Sequence, residues 1–483
     1  MATFKKVLCL ILSIVMVFSL AACGNDNTES IVNLGGDEEW GIETEDTSDA
    51  TVSSTSSGNK APEVSVPEDS GQSTTVKTPA VKNADDLSWK DLLAQMPSKL
   101  RGTTIKIYSW NPIKDVTGAE KVISDFEKQT GIKVDWTVGN YDNYESEIAA
   151  LINSGNSPDI IRYNNPAAAK MYLTQDIAKA TGYDFKGDIW DKRVTESYSV
   201  NGKTYGVNLK NTFNQQPTVV AYSMNTINRY KLEDPYTLWK NGEWTYDKFI
   251  EMCKEFKEET GRPGWMTSGH MEMLWFNNVH MINYDGKKYT NNLSDPAVLK
   301  ALQASCNNRA DGITCEAARE HDKLEDGTYL FFTTNILAAR RTDFHFSSLK
   351  ADDDLYCVPV PTGIGSEYVV HWQEFEAYGV PKGAKNPGAV YYFLRYYLNA
   401  ENYDEDMFFV NNQTLETYKY CMAQQNYHYS IDGALISVVG ESDIDKFIRT
   451  GGTAAQVKNK LDEVSNLFDR AVSKGNETLD KFE

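Results

Sequence analysis

The feature that most constrains this chain is an alternation of strand and helix patterns near the start of its globular part. Residues 105–110 and 132–138 alternate in the way strands do, and residues 159–163 form a third short strand. Helical spacing of apolar side chains follows the first two strands, over residues 118–129 and 142–153. Strands that alternate with helices predict βαβ units and a largely parallel sheet, so we expect an α/β fold.

The globular part is too long for one hydrophobic core. Residues 87–483 are about 400 residues, whereas single cores usually stop growing at about 250–300 residues. We therefore expect two lobes. The formal net charge is −20, and no basic stripe of the kind that binds nucleic acid is visible in the sequence. A nucleic-acid partner is therefore not expected.

The N-terminus has the pattern of a secretory signal. A short basic start precedes an apolar run over residues 7–20, and small side chains follow it. The run is shorter than the ~20 residues that a transmembrane helix needs. Residues 1–22 are therefore predicted to be a cleaved signal peptide. The stretch Leu-Ala-Ala-Cys that ends at Cys23 resembles the lipobox of bacterial lipoproteins, which implies that lipid is attached to Cys23.

Residues 23–85 have the composition of a linker. After the cysteine they are rich in Ser, Thr, Asn, Asp and Glu and poor in large apolar side chains. Such a segment cannot bury enough apolar surface to offset its chain entropy. We predict a disordered acidic spacer that carries the lipid anchor at its start and holds the globular body away from the membrane.

The cysteines do not indicate a metal centre. Apart from Cys9 and Cys23, five remain, and they show no C-x-x-C pattern and no zinc-like pairing with histidine. Small buried thiols are the simplest interpretation. A disulfide between Cys306 and Cys315 stays open for a chain in an oxidising exterior. Neither a metal nor a cofactor is expected.

Candidate ligand-binding residues follow two of the predicted strands. Ligands of open α/β sheets bind beyond the carboxyl ends of strands. This places Trp110 and Asn111 after the first strand, and Tyr163 and Asn164 after the third, where a ligand could meet them. Aromatic rings and amides supply the apolar walls and the few placed polar groups that ligand pockets combine. Core packing of the rings and turn formation by the amides are the alternatives.

Further candidates lie downstream. Asn214 is near the expected crossing between lobes, where hinge hydrogen bonding is the alternative. In the ring-rich segment 265–278 adjacent rings cannot share one helix face, so one ring of the pair at 275 and 276 belongs to the core. Arg340 offers a forked donor to an acidic group, or is a solvated helix charge. The remaining candidates are Trp265, Trp275, Asn277, Trp372 and Glu374.

Enzyme signatures are missing from the sequence. It contains no HExxH, GxSxG, P-loop or GxGxxG pattern. Its 68 acidic residues would always supply a pair resembling a glycosidase dyad, and the distance between carboxylates cannot be read from sequence. We therefore predict that the chain is not an enzyme and keep a secreted glycosidase as a distant alternative.

Short segments in a defined order are spread along nearly the whole body. They are residues 131–134, 155–160, 200–207, 222–225, 234–236, 242–249, 285–287, 301–303, 358–361 and 380–387. Taken together and in this order, they resemble the family 1 extracellular solute-binding proteins, which include maltose-binding-like components of carbohydrate ABC importers.

The resemblance implies a two-lobe, type II periplasmic-binding-protein-like clamshell with a central cleft and a hinge. Lobe 1 is expected from residues 86–215 plus 335–400, and lobe 2 from residues 216–334 plus 401–483. The implied function is to deliver a sugar or oligosaccharide to an ABC import permease. The implied state is a monomer, lipid-anchored on the extracellular face of the cell membrane, in a Gram-positive bacterium.

The same fold also serves other solutes, and that alternative stays open here. These solutes are peptides, polyamines, metal ions and uronic acids. A polyamine or a metal ion predicts a cleft lined by carboxylates, with fewer stacked rings. A sugar predicts an aromatic-lined cleft in which hydrogen-bonding groups surround the rings.

Overall fold

The structure is a computed structural model that describes residues 84–113, 116–141, 143–267, 272–315, 324, 326–341, 346–363, 368–429 and 440–482, with only the backbone of residues 373–374, 406–407 and 440–442. Residues 1–83, which include the predicted signal peptide, Cys23 and the linker, lie outside this description.

The strands are short, as is usual for an α/β fold. They are β1 (Thr104–Ser109), β2 (Lys133–Val138), β3 (Ile160–Tyr163), β4 (Ser199–Val200), β5 (Lys203–Thr204), β6 (Gln216–Ser223), β7 (Trp265–Met266), β8 (Ile282–Tyr284), β9 (Tyr289–Asn291), β10 (Thr314–Cys315), β11 (Phe331–Asn335), β12 (Leu355–Pro359), β13 (Val370–Glu374), β14 (Ala377–Gly379) and β15 (Tyr427–Tyr429).

The helices surround these strands. They are α1 (Trp89–Ala94), α2 (Ala119–Thr130), α3 (Tyr144–Asn153), α4 (Ala168–Met171), α5 (Ile177–Thr181), α6 (Lys192–Ser197), α7 (Met224–Tyr230), α8 (Pro235–Asn241), α9 (Tyr246–Thr260), α10 (Glu272–Phe276), α11 (Pro296–Ala310), α12 (Ser347–Ala351), α13 (Pro387–Tyr397), α14 (Glu405–Phe408), α15 (Asn412–Ala423), α16 (Gly440–Arg449) and α17 (Val457–Leu479).

The first sheet has the strand order β14-β3-β1-β2. Strand β1 is parallel to β2 and to β3, as the alternation of strands and helices predicts, and β14 is antiparallel to β3. The predicted strands and helices over residues 105–163 are confirmed to within two residues at each end. Gly131 ends α2 in the left-handed conformation that favours glycine.

The second sheet has the order β10-β7-β11-β6-β13-β15, with β12 also paired to β6. All eight residues of β6 are buried, and β11, β12 and β13 pair with it in antiparallel fashion. The division expected from the sequence places residues 335–400 with the first lobe. Strands β12 and β13 instead belong to the second sheet, because they pair with β6, and only the part from β14 onward pairs with the first sheet.

A buried carboxylate fastens the start of the described chain to the core beside the first sheet. Asp85 accepts hydrogen bonds from Trp190 Nε1 at 2.8 Å and from the Tyr391 hydroxyl at 2.6 Å. It also accepts one from the Gly187 backbone N–H at 2.7 Å. The Arg395 guanidinium donates to three backbone carbonyls of the same segment. The Asp85 side chain is therefore the hub of a buried polar network.

The final helix, α17, is amphipathic, with Val457, Leu461, Val464 and Phe468 on its buried side. Its Asn476 side chain bonds to the backbone of Tyr289 on β9 in both directions, at 2.8 and 3.0 Å. Beyond the helix, the Phe482 ring lies 4.9 Å from Tyr205 and 5.7 Å from Tyr172. The C-terminal segment therefore contacts both the β8–β9 hairpin and the residues around α4 and β5.

The five cysteines in the described residues are not joined by disulfides. Cys306 and Cys315 do not form a disulfide with each other, and the Cys315 thiol donates to the Trp265 carbonyl oxygen at 3.7 Å. Cys253, Cys357 and Cys421 are buried, as predicted for structural thiols.

Candidate functional site

Two segments pass side by side between the two sheets. Residues 375–376 link β13 of the second sheet to β14 of the first, and residues 208–215 lead into β6. The Gln215 side-chain amide donates to the Glu376 carbonyl at 3.1 Å and accepts from its N–H at 3.2 Å. These paired hydrogen bonds hold the two crossing segments together.

A buried ion pair ties the first sheet to these crossing segments. Arg162 of β3 contacts Glu376 Oε1, and the two side chains are 9% and 0% exposed. Gln216 Nε2 donates to the same oxygen at 2.7 Å. Arg162 Nε and Glu376 Oε2 are buried without a hydrogen-bond partner among the described residues. Within the pair, Arg162 Nε therefore remains as a donor and Glu376 Oε2 as an acceptor for a further hydrogen bond.

Aromatic rings lie beside Arg162. Its guanidinium is 4.4 Å from the centroid of the Trp110 ring, within the range of cation–π attraction. Trp110 makes edge-to-face contacts with Tyr144 at 5.0 Å and with Tyr141 at 5.8 Å. Strand β1 delivers Trp110 to this cluster because it ends one residue earlier.

A chain of polar contacts runs along the cluster. Lys170 Nζ is 2.8 Å from Glu145 Oε1 and donates to Asn164 Oδ1 at 2.8 Å. Asn164 Nδ2 donates to the Tyr141 hydroxyl at 3.1 Å. The pocket between these groups and Trp110 has a volume of about 10 Å³, which is room for about one water molecule. A sugar would therefore require the surrounding groups to move apart.

Two other candidates of the first sheet have structural partners. The Asn111 carbonyl accepts from Trp136 Nε1 at 3.0 Å, which fixes the turn after β1. Tyr163 is buried, and its hydroxyl donates to Thr174 Oγ1 at 2.6 Å. Burial raises the pKa of the Tyr163 hydroxyl. In this conformation Tyr163 packs in the core and leaves no ring face for a ligand.

Asn214 and Arg340 support the crossing segments. Asn214 is buried, and its amide lies 3.4 Å from the Tyr378 hydroxyl. Arg340 is also buried; it donates to the Phe213 carbonyl at 2.9 Å and lies 4.6 Å from the centroid of the Phe408 ring. Because it is buried, Arg340 is not a solvated helix charge. Its hydrogen bond to the Phe213 carbonyl instead stabilises the crossing segment 208–215.

Trp265 and Asn277 lie in the expected second lobe, where Trp265 is part of β7 in the second sheet. Trp265 is 1% exposed, donates from Nε1 to Thr333 Oγ1 at 2.6 Å, and stacks on Phe276 with the ring planes 12° apart. Its faces are therefore covered in this conformation, so Trp265, named as a candidate ligand contact, packs in the core here. Asn277 donates to the Met273 carbonyl at 2.7 Å, a bond within one helical turn.

Trp275 stands at the end of a stack of rings. It is half-buried and stacks on His371 with centroids 4.0 Å apart and planes 2° apart. His371 is followed by His428 at 5.3 Å, and His428 stacks on His280 at 4.0 Å. Phe276, the neighbour of Trp275, is buried, so the prediction that one ring of this pair is core is confirmed.

Two candidates, Trp372 and Glu374, lie on β13. Trp372 is fully buried in strand β13, and the Arg193 guanidinium lies 5.1 Å from its ring centroid. The backbone of Glu374 pairs with Gln216, and its side chain lies outside the described residues.

The sequence pointed to the neighbours of the main polar pair and not to the pair itself. Arg162 precedes the predicted Tyr163, and Glu376 lies two residues after the predicted Glu374. An arginine inside the buried strand β3 was a usable signal, because charged side chains are almost never fully buried unless they are paired. Tyr141 carried no pattern that separated it from an ordinary loop residue.

The described residues contain no cluster of three or more His, Cys, Asp or Glu side chains that could hold a metal ion. Nor does any helix in that part of the chain combine the length and apolar character needed to cross a membrane.

A family model of bacterial extracellular solute-binding proteins matches residues 121–408. The chain belongs to this family. A curated relative, the diacetylchitobiose binding protein DasA of Streptomyces coelicolor, is 25% identical over 190 residues. That match covers 37% of this chain and 41% of the relative, so it spans less than half of the relative's length.

Solved structures show the fold of the solute-binding protein more fully. The sugar-binding protein MalE from Xanthomonas citri aligns with a TM-score of 0.61 at 12% identity, covering 79% of this chain and all of that one. The galacto-N-biose/lacto-N-biose I-binding protein of an ABC transporter from Bifidobacterium longum aligns with a TM-score of 0.60 at 15% identity, covering 77% and 97%. The expected two-lobe, type II periplasmic-binding-protein fold is thereby confirmed.

Proposed function

We propose that this chain captures a neutral sugar or oligosaccharide outside the cell and delivers it to the permease of an ABC importer without altering it. The observation that carries the proposal is the charge balance of the ring-lined pocket. Its charged side chains, Glu145, Arg162 and Lys170, each have a partner of opposite sign. Rings with compensated charges suit a ligand that offers C–H faces and hydroxyls.

The same balance disfavours the charged alternatives. A polyamine or a metal ion needs uncompensated carboxylates, and a uronic acid needs an uncompensated cation. In the pocket, Lys170 is matched by Glu145 and Arg162 by Glu376. The Arg162–Glu376 pair is buried, so displacing it to bind a charged solute would leave one partner buried and unpaired, which is strongly unfavourable.

Closure around the ligand would follow from the crossing segments. A solute that touches both lobes makes more contacts in the closed state, so it shifts the population by its differential affinity. Hinge closure of this kind is an established motion of periplasmic binding proteins. The two Gln215–Glu376 hydrogen bonds join the segments at the point where they pass from one lobe to the other.

A thermal-shift screen of the purified protein tests the ligand class. The panel would contain neutral sugars, including diacetylchitobiose and maltose, together with galacturonate, spermidine and a tripeptide. A ligand that binds only the folded state raises the melting temperature, by an amount that grows with its concentration. We expect a shift with at least one neutral sugar and none with the charged solutes. A shift with spermidine or galacturonate alone would refute the proposed class.

The membrane anchor is a separate part of the proposal. We propose that residues 1–22 are removed and that Cys23 carries lipid, so that the protein stays on the outer face of the membrane as a monomer. Labelling of cells with a radioactive fatty acid should mark the wild-type chain and not the Cys23→Ser variant. The variant should then appear in the culture medium. Equal labelling of both chains would rule out lipid attachment at Cys23.

A further inference from the structure

Tyr141 is an exposed aromatic side chain at the edge of the ring cluster. It lies just beyond the end of β2, and 46% of its surface is exposed. Among the described residues, the large apolar side chains exposed to this degree are Tyr141 and Val138, the latter at 49%. Most other rings of the described chain are buried in the two cores.

The exposed ring is nevertheless held in place. Its hydroxyl accepts from Asn164 Nδ2 at 3.1 Å, and Asn164 is held by Lys170, which is paired with Glu145. Its ring meets Trp110 at 80°. Fixing a side chain costs rotamer entropy, and an exposed ring recovers little of that cost from burial. A ring that is both fixed and exposed is therefore prepared for a contact that is made on binding.

Trp110 is less suited to meet a ligand directly. The Arg162 guanidinium lies over its ring at 4.4 Å, and Tyr144 meets it at 5.0 Å and 88°. Tyr141 approaches from a third direction. With three neighbours around it, Trp110 is only partly exposed and serves as the support against which Tyr141 is positioned.

We propose that a sugar stacks on the ring of Tyr141, on the side of the site formed by the first sheet, and that Trp110 is a positioning residue behind this ring. The inference rests on the proposed sugar-binding function. The C–H face of the sugar packs on the Tyr141 ring, while the neighbouring Asn164 and Lys170 offer polar groups at its edge. This assignment names a ligand contact that no sequence pattern indicated.

The test is calorimetric titration of the purified protein with the neutral sugars of the panel, diacetylchitobiose and maltose first. The variants are Tyr141→Ala, Tyr141→Phe and the matched control Val138→Ala, which removes the other exposed apolar side chain of the same region. We expect Tyr141→Ala to weaken binding about tenfold, or about 1.4 kcal/mol. Tyr141→Phe keeps the ring and should stay within about threefold of wild type, and Val138→Ala should bind as wild type does.

Each other outcome has a defined meaning. Wild-type affinity in Tyr141→Ala overturns the stacking role while the sugar-binding function stands. Equal losses in Tyr141→Ala and Tyr141→Phe assign the effect to the hydroxyl and also overturn stacking, and so does an equal loss in Val138→Ala. If the wild-type protein binds no sugar of the panel, the proposed function falls and this inference falls with it. The melting temperature without ligand should be the same in all variants, because the substituted side chains are exposed.

Discussion

The imidazole rings of His280 and His428 stack with their centroids 4.0 Å apart and their planes 10° apart. His428 donates from Nε2 to the Val279 carbonyl at 3.1 Å, because a carbonyl can only accept, and its Nδ1 is buried without a partner among the described residues. Next in the stack, His371 Nδ1 contacts Thr218 Oγ1 at 2.7 Å. Burial lowers the pKa of His280 to about 4 and that of His371 to about 3, and it also depresses the pKa of His428.

We predict that the free energy of unfolding falls as the pH drops from about 6.5 towards 4. The three imidazoles are neutral in the folded state, whereas the unfolded chain binds protons below its ordinary pKa of about 6.5. Protonation therefore favours the unfolded state, by about 2 kcal/mol at pH 5 for each group. Urea denaturation followed by circular dichroism at pH 7, 6 and 5 measures the slope.

His280→Phe provides the control for this pH dependence. Phenylalanine keeps a ring against His428 and removes one titrating group, and His280 Nδ1 has no partner to lose among the described residues. The variant should lose about 2 kcal/mol less than wild type between pH 7 and pH 5. An unchanged pH slope would show that carboxylates elsewhere, and not this stack, set the acid sensitivity.

The Arg162–Glu376 pair should behave as a coupled unit. Removing one partner of a buried pair leaves the other unpaired, so Arg162→Met should destabilise the fold by about 3–5 kcal/mol. Glu376→Gln should cost less in the Arg162→Met background than in the wild type, because the uncompensated carboxylate is then removed. A double-mutant cycle by urea denaturation gives the coupling energy, and strictly additive effects would refute an energetic link.

The Asp85 hub should contribute measurably to stability. Asp85→Ala removes the acceptor for Gly187, Trp190 and Tyr391 and leaves their buried donors unpaired, so we expect a loss of about 2–4 kcal/mol. The neighbouring exposed carboxylate supplies a matched control: Asp86→Ala should change stability by less than about 0.5 kcal/mol. Similar melting curves for the two variants would mean that the hub is not a stabilising element.

The four buried thiols of the body, those of Cys253, Cys306, Cys357 and Cys421, should be reduced and slow to react. Burial raises the pKa of Cys306 to about 11 and that of Cys357 and Cys421 to about 12, and it also raises the pKa of the Cys253 thiol well above its ordinary value. A thiolate is the reactive form, so labelling by iodoacetamide at pH 8 should be slow in the native protein and complete in urea without reductant. A body that resists labelling of Cys306 and Cys315 in urea would contain the disulfide after all.

The local fold was predictable because its signals are local. Apolar alternation over residues 105–110 and 132–138 specifies β1 and β2, and Thr245, a residue type that favours helix starts, caps α9 by accepting from the Lys248 N–H. Pairing between distant segments has no such signal. The sequence therefore did not indicate that β12 and β13 would join β6.

The site was only partly predictable for the same reason. Trp110 and Asn164 were found because they follow strands, and they do lie in one cluster. Trp265 and Trp372 were candidates as well, but both rings are covered. Trp265 stacks on Phe276, and Trp372 lies in the sheet with the Arg193 guanidinium over its ring. Arg162 could be singled out as a charge inside a buried strand, but its pairing with Glu376 is visible only when β3 and the crossing segment are seen together.

Helix α17 bears on the mechanics of the clamshell. It is bonded to the β8–β9 hairpin through Asn476, and beyond it Phe482 sits between Tyr172 and Tyr205, where the Asn201 amide donates to its carbonyl at 3.1 Å. The two crossing segments alone would permit a large rotation of one lobe relative to the other. Because both contacts lie at the C-terminal end of the helix, opening the cleft further requires the tail to slide past Tyr172 and Tyr205 or to detach from them.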